Sequence, residues 1–489
     1  MSCNSCSNTS MAAFVDLAAN TAPLDKMLYG QDQLSYFKAA TVKSTPFALF
    51  NTCGSVNGVP EFGREFSVTA SRVGDYLLHS TIRLQLPELV TKAPDLPLNQ
   101  RRYIRWTNNI GLALLKYSEL CFNDLVAEKI TGETLDFYEE FNGDPAKETA
   151  WNNMIGNVKA LNYNTPMGTK VNSYVLNIPL KHFFTKDSGK ALAVAAMPYN
   201  EIRFNICFED VAKLIAVDTV TKGVENGTGD VWTTRPAEAS DFANGVLPSI
   251  GNGFQLVLNY AVVSNEERKS MACGTRDMLI TQHQLTKMDA TKSPKQAVDI
   301  RYNQSVLWYA FGLKNITEHT KVSNFSTLSP LRHTAPDGER AQVDYDNPYA
   351  HHPLYSAGLK YDSVDRFNAP IDQFSLVSGY YHAPRVPTKQ GLGLFSFALD
   401  IGNINPNGSV NQGKLSNIQF VAEMSKEGLD HMQHTPIVIT DGSSDADKQK
   451  AAEHHKKGLY GAQRFEIQIM GLVHNVVRIS GGALGFPVM

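Results

Sequence analysis

Several groups of side chains in this sequence have types and spacings that could do chemistry. Cys3 and Cys6 stand as Cys-x-x-Cys, half of a zinc site. A tetrahedral site needs a second ligand pair, and no other pair has matching spacing, so they read as free thiols. His454-His455 follows Glu453 and precedes Lys456-Lys457. This is not the His-Glu-x-x-His of a zinc hydrolase, and a solvated face is expected there. His351-His352 lies among Tyr, Asn and Pro and reads as a surface loop. Glu139-Glu140 and Glu266-Glu267 have the residue types of a glycosidase acid pair. Neighbours on a helix point to different faces, so the simpler expectation is ion pairing with groups such as Arg268 or Lys269, and solvent. Gly391-Leu392-Gly393 lacks the third glycine of a phosphate cradle and reads as a strand with close backbone packing. No nucleophile elbow is present. The expectation is therefore no catalytic, cofactor-binding or metal residues, no cofactor, and a protein that is not an enzyme.

Composition sets the frame for those residues. The chain has 489 residues, of which 43% are hydrophobic and 19% charged, with a net charge of −3. That excludes an intrinsically disordered chain. A nearly neutral chain without a basic face is also poorly suited to wrapping nucleic acid, so no direct nucleic-acid contact is expected. The longest uncharged apolar run, Ala191 to Met197, is far too short for a membrane-spanning helix. Six cysteines, at 3, 6, 53, 121, 207 and 273, are too sparse for a disulfide scaffold. The start, Met-Ser-Cys-Asn-Ser-Cys, lacks the basic and apolar regions of a signal peptide, and manufacture inside a cell is expected. Asn-x-Ser/Thr sequons at Asn8, Asn226, Asn303, Asn315, Asn324 and Asn407 then carry no implication of ordinary N-glycosylation.

The period of the hydrophobic pattern gives the elements. Residues 1–35 read as an arm: positions 1–10 polar and disordered, then Phe14, Leu17 and Ala18 at helical spacing. From about residue 40 the period is two. Strands are expected at Phe66–Ala70, Ile82–Leu86, Tyr174–Leu180 and Ile202–Phe208. A short helix is expected at Thr134–Phe141, after the turn-like Thr131-Gly132, and a turn at Asn123-Asp124. Residues 214–252, rich in Gly and Pro, read as a linker or long loop. The period of two restarts at Phe254–Val262 and recurs at Val306–Leu313, Leu392–Ile401, Ile418–Ala422 and Phe465–Ile469. Stretches 327–370 and 425–462 read as long loops. Glu201-Ile202 and Glu466-Ile467 are a weak echo of an internal duplication. Trp106, Trp151 and Trp308 are expected in the core or between sheets. The fold class is all-β, two consecutive eight-stranded jelly-roll sandwiches with long loop insertions and a short helix. The divisions are an N-terminal arm 1–35, a first jelly roll 36–213, a linker 214–252 and a second jelly roll 253–489.

A set of runs then gives the sequence a family. They are Phe62-Gly-Arg-Glu-Phe-Ser-Val68, Ser71-Arg-Val-Gly-Asp-Tyr-Leu-Leu78, Arg105-Trp-Thr107, Phe122-Asn-Asp-Leu-Val126, Leu135-Asp-Phe137, Asn153-Met-Ile-Gly-Asn157 and Pro198-Tyr-Asn-Glu201. Asn259-Tyr-Ala-Val-Val-Ser-Asn-Glu-Glu-Arg268, Tyr381-His-Ala-Pro384, Gly413-Lys-Leu-Ser-Asn417 and Val477–Val488 follow in the same order. In this series the chain resembles the double jelly-roll major capsid proteins of large icosahedral double-stranded DNA viruses, nearest to the iridovirus and marseillevirus members. The departures fall in 214–252, 327–370 and 425–462.

The resemblance implies a structural protein that homotrimerises into pseudo-hexagonal capsomers and tiles an icosahedral shell. It implies as partners neighbouring capsomers, minor capsid and penton proteins, and proteins of an internal lipid membrane reached through the arm. It places the protein in the virion, with synthesis and assembly in the host cytoplasm. The tail from Gly481 is expected to pack on the other jelly roll or a neighbouring subunit. The competing expectation is a β-sandwich carbohydrate-binding or carbohydrate-active protein, since such proteins use the same architecture.

Overall fold

The computed structural model describes residues 7–19, 23, 37, 41, 43–94, 100–221, 231–317, 325, 352–387, 391–433 and 463–487. Met1–Pro46 form one unit, in which helix α1 spans Ser7–Ala19 and so begins within the stretch expected to be disordered. Cys3, Cys6 and His454-His455 lie outside the described residues.

Phe47–Met489 form the second unit, in which sixteen strands build two sandwiches. The first sandwich comprises β1 (Phe47–Cys53), β2 (Glu65–Thr69), β3 (Tyr76–Leu86), β4 (Leu115–Phe122), β5 (Leu125–Ile130), β6 (Tyr174–Leu180), β7 (Ile202–Phe208) and β8 (Phe254–Val263). Its sheets run β1-β8-β3-β6 and β2-β7-β4-β5. The second comprises β9 (Arg276–Asp289), β10 (Lys295–Asp299), β11 (Ser305–Asn315), β12 (Leu354–Tyr361), β13 (Val364–Pro370), β14 (Leu392–Ser396), β15 (Ile418–Met424) and β16 (Phe465–Ser480). Its sheets run β9-β16-β11-β14 and β10-β15-β12-β13. Each strand of the second sandwich thus occupies the place of the strand eight numbers earlier. This crossed order is that of a jelly roll, and the chain is a double jelly roll. Short strands Ser55–Asn57, Leu192–Ala193, Val410–Asn411 and Ala483–Gly485 extend these sheets.

The alternating strands bury every second residue. In β3, Leu77, Ile82, Leu84 and Leu86 are buried while Arg83 and Gln85 are exposed. Leu84, Ile82 and Leu77 join Phe66, Phe204, Leu256 and Leu258 in the first core. Phe311, Phe420, Leu359 and Ile469 form the second. The turn at Asn123 is made with positive φ (54°), in the left-handed region that asparagine tolerates better than most residues.

Strand pairing corrects four expectations. Phe254–Val263 does not open the second sandwich. It hydrogen-bonds between β1 and β3, and Tyr260 and Leu258 enter the first core. The stretch 214–252 contains strands Ile215–Thr221 and Val231–Pro236, which pair with each other. Ile215–Thr221 also pairs with strand Gln100–Trp106. The buried Arg105–Asp218 ion pair, at 2.8 Å, sits in that sheet. The residues between the sandwiches are instead helix α3 (Asn265–Cys273), capped by Ser264. The stretch 327–370 carries β12 and β13; β12 shows no alternation because Ser356, Ala357, Gly358 and Leu359 are all buried. Finally, Ile202 opens β7, with Glu201 just before it, whereas Glu466-Ile467 lies in β16, and these strands are not counterparts. The similarity of the two dipeptides is not a trace of the duplication.

Candidate functional site: the junction of the two sandwiches

Among the described residues, no three His, Cys, Asp or Glu are placed to hold a metal. Glu139 and Glu140 do line a small pocket with Asp136, Glu148 and Arg385. Glu139 pairs with Lys181 and Glu148 with Arg385 at 3.4 Å. Glu266 and Glu267 lie in the first turn of α3, where the helix dipole favours them. Their expected partner Arg268 turns instead to Asp75, with Nε and Nη2 each 2.8 Å from a carboxylate oxygen. Asp75 also accepts from the Val263 amide at 3.0 Å. This fork fixes α3 against the start of β3. His352, expected on a surface loop, is buried. At Gly391 (φ 86°) and Gly393 a Cβ would overlap the Phe325 carbonyl and the Phe311 ring, so the close packing expected there is present.

The built polar site lies where the sandwiches meet. After β5 the chain enters helix α2 (Gly132–Asn142), capped reciprocally by Thr131 and Thr134. Gly132 is required because a Cβ there would overlap the Leu112 carbonyl oxygen. Leu135 of α2 points into the first core. Phe137 and Phe141, four residues apart and so on one helix face, pack on the outer face of β9-β16-β11-β14. There they meet Trp308, Leu394, Met470 and Leu472. Phe141 and Trp308 are edge to face at 6.3 Å. Such ring pairs add about 0.5–1.5 kcal/mol to the burial itself.

A buried carboxylate stands beside this apolar contact. Glu128 of β5 accepts from the Phe183 amide at 2.8 Å. Its two oxygens also face His182 Nδ1 at 3.3 Å and His283 Nδ1, of β9, at 3.0 Å. Lys186 Nζ lies 3.0 Å from Thr281 Oγ1 and 3.5 Å from His283 Nε2. Neutral imidazoles can serve this arrangement throughout: each donates from Nδ1 to Glu128, and the Nε2 of His283 accepts from Lys186. Burial alone would raise the Glu128 pKa, but the two histidine hydrogen bonds outweigh it and hold the carboxyl well below its usual range. Burial and the Lys186 charge lower His283 to about 4. Burial lowers Lys186 to about 7 against the attraction of Glu128. Across the same boundary Gln282 Nε2 donates to the Ala127 carbonyl at 2.7 Å, and Asn475 Nδ2 donates to Gln282 Oε1 at 2.9 Å.

At the start of α2, Glu133 pairs with Lys287 of β9 and with Lys314 of β11, the latter at 2.8 Å. Burial would raise its pKa, but the two lysines prevail and bring it down to about 2. The tail adds a further contact. Gly482 accepts from the Tyr199 amide at 3.3 Å, the Leu484 amide donates to Asn200 Oδ1 at 2.9 Å, and Leu484 joins the first core. The tail thus packs on the other jelly roll, one of the two expected places. Trp106 and Trp308 are fully buried, and Trp151 is half-buried beneath Lys181.

All of this chemistry is positional: opposite charges and donors are matched across the boundary between the two sandwiches. The comparisons agree. Residues 35–241 match the model of the major capsid protein N-terminus, and residues 267–485 that of the large eukaryotic DNA virus major capsid protein. The major capsid protein of Costelytra zealandica iridescent virus is 35% identical over 98% of both chains. That of Invertebrate iridescent virus 3 is 33% identical over 99% of this chain and 100% of its own. A chain solved in the PBCV-1 virus capsid shares the fold at a TM-score of 0.67 and 20% identity, over 93% of this chain and all of its own. Nothing in these matches supports a carbohydrate-binding or carbohydrate-active protein. The chain belongs to the major capsid proteins of large eukaryotic DNA viruses, structural proteins of the virion capsid and not enzymes.

Proposed function

We propose that three copies close into one capsomer with a near-hexagonal outline, and that these capsomers tile the viral shell. One observation supports this above the others: both sandwiches have the same strand order, so three chains present six comparable units about a three-fold axis. C3 symmetry closes such a heterologous contact into a ring rather than a filament. Strand pairing supports a first jelly roll over 47–263 and a second over 276–487, joined by α3.

The long excursions β3–β4, β5–β6 and β7–β8 share a sheet, formed by strands Gln100–Trp106, Thr165–Pro166 and Ile215–Thr221 with Val231–Pro236. They therefore leave one end of the first sandwich. The three stretches that depart from the family include excursions of this kind in each sandwich, and this end is the outward one in our reading. Residues 1–35 then contact minor capsid proteins above an internal membrane, penton proteins fill the vertices, and assembly takes place in the host cytoplasm. The net charge of −3 suits a shell separated from its genome.

Light scattering on the eluting full chain tests the capsomer. A species at three times 53.9 kDa is expected, and a strict monomer at every concentration refutes it. Normal particles from a chain lacking residues 1–30 would remove the role given to the arm.

A further inference from the structure

The outer faces of the two equivalent sheets differ in what covers them. On β9-β16-β11-β14, Trp308 and Met470 are fully buried beneath α2. On β1-β8-β3-β6 no element among the described residues covers the corresponding face as α2 does. Leu49 is 64% exposed, Val175 is 40% exposed, and Arg83 and Gln85 are exposed. The register confirms that Leu49 and Val175 face outward, because their neighbours Phe50 and Leu176 pair with the inward Tyr260 and Leu84.

The segment that corresponds to α2 joins β13 to β14. It is also helical, a π turn over Gln373–Val377 running into α4 (Ser378–His382). Phe374 anchors it, 5.4 Å from Phe311 and 5.2 Å from Phe367. With that anchor in the second core, the segment holds four apolar side chains outward: Leu376 at 40%, Val377 at 49%, Tyr380 at 74% and Tyr381 at 72% exposure. A cluster of this kind on a fixed element, with two tyrosines, has the character of an interface core.

We infer that Gln373–His382 seats on the open outer face of β1-β8-β3-β6 of a second copy of this chain, repeating between copies the contact that α2 makes within one. The occupant is a second copy because the internal junction already joins these two kinds of surface, and among the described residues each chain carries a further, uncovered example of each. The contact is heterologous. Three copies then use every segment and every face, and six similar junctions alternate within and between chains. This inference rests on the trimer proposed above and names the surfaces that make it.

Two double variants of the full chain test it: Tyr380→Asp with Tyr381→Asp on the segment, and Leu49→Asp with Val175→Asp on the face. All four positions are exposed, so unchanged circular dichroism, and melting equal to that of the unmodified chain at concentrations where it is dissociated, are required of both. In sedimentation velocity the unmodified chain is expected as a trimer and each variant as a single chain, with the dissociation midpoint raised at least 100-fold. An equimolar mixture of the two variants retains one intact segment and one intact face per pair. It is expected to give a species of twice the chain mass. A trimer of unchanged stability in either variant overturns the inference while leaving the trimer standing. Dissociation of the segment variant alone overturns it too, since the segment would then meet another surface. An unmodified chain that never leaves the monomer removes the trimer and the inference together.

Discussion

Trp308 and Leu49 both lie on the outer face of a sheet with the same strand order, pointing away from their own sandwich. Trp308 is fully buried because the excursion after β5 lays Phe141 over it, while Leu49 is 64% exposed. Strand order is thus indifferent to whether that face is core or surface; the excursion decides. The largest expected effect tests this directly. In the dissociated chain, Trp308→Ala should lower unfolding stability by about 3–5 kcal/mol, the cost of an unfilled aromatic site. Leu49→Ala should stay within about 0.5 kcal/mol, as exposed apolar positions do. Guanidinium titration of both gives the contrast, and equal losses would break it.

The same contrast explains what could be read from the sequence. β7 is legible to the residue because alternate side chains face the core, so period two survives in the letters; β6 shows it more weakly, because Val175 and Pro179 occupy its outward positions. β12 is not legible, because both of its faces are covered. Phe254–Val263 was legible as a strand but not as the last strand of the first sandwich. Its partners β1 and β3 lie about 200 residues earlier, and no local pattern encodes pairing at that distance. Gly and Pro made 214–252 look like a linker, although its Thr and Val residues pair in a hairpin. For α2, the spacing of Leu135, Tyr138 and Phe141 showed the helix, while Phe137, which carries much of the contact, fell between them. Glu128, His182 and His283 carry no motif, since each is a lone residue far from the others in sequence. The available signal is slight: a glutamate and a lysine in the otherwise apolar strand Leu125–Ile130, of which only the glutamate is buried.

That buried cluster gives the next effect, a dependence on pH. His283 ordinarily titrates at 6.5 and is lowered to about 4 in the folded chain. Between these values the unfolded chain binds a proton that the folded chain refuses, so stability falls as pH drops from 6.5 to 4. The loss approaches about 3 kcal/mol at 1.36 kcal/mol per unit. Glu128 acts in the same sense below its ordinary 4.5, since its folded form also resists protonation. The other groups facing His283 are His182, Lys186 and Tyr138. Lys186, lowered to about 7, changes its contribution only between pH 7 and 10.5, so it adds no slope in the acid window. The Tyr138 hydroxyl is pushed further up by burial and remains neutral throughout. Melting temperatures of the dissociated chain from pH 7 to pH 4 should therefore decline, and His283→Gln should flatten the decline above pH 4.5. An unchanged slope in that variant would remove the cluster as its cause.

The smallest effects sharpen the comparison within one strand, because β9 passes from the junction to solvent. Lys287 reaches Glu133 of α2 from the junction side, with Lys314 and Gln468 on the same carboxylate. Glu133 is mostly buried and shares its charge with two lysines, so Glu133→Gln should cost about 1 kcal/mol, the upper end for a partly exposed pair. At the other end of β9, Asp277 and Arg478 form a fork of 2.7 and 2.8 Å that is geometrically better than most. Both side chains are about half-exposed, and water competes for every bond they make. Asp277→Asn should leave the melting temperature unchanged within error. Added salt should weaken the Asp277 pair and leave the Glu133 pair nearly intact, because counter-ions screen exposed charges far more than buried ones. If 1 M salt erased the Glu133 effect as well, water would have access to the junction, and α2 could not be the rigid cover that the burial of Trp308 requires.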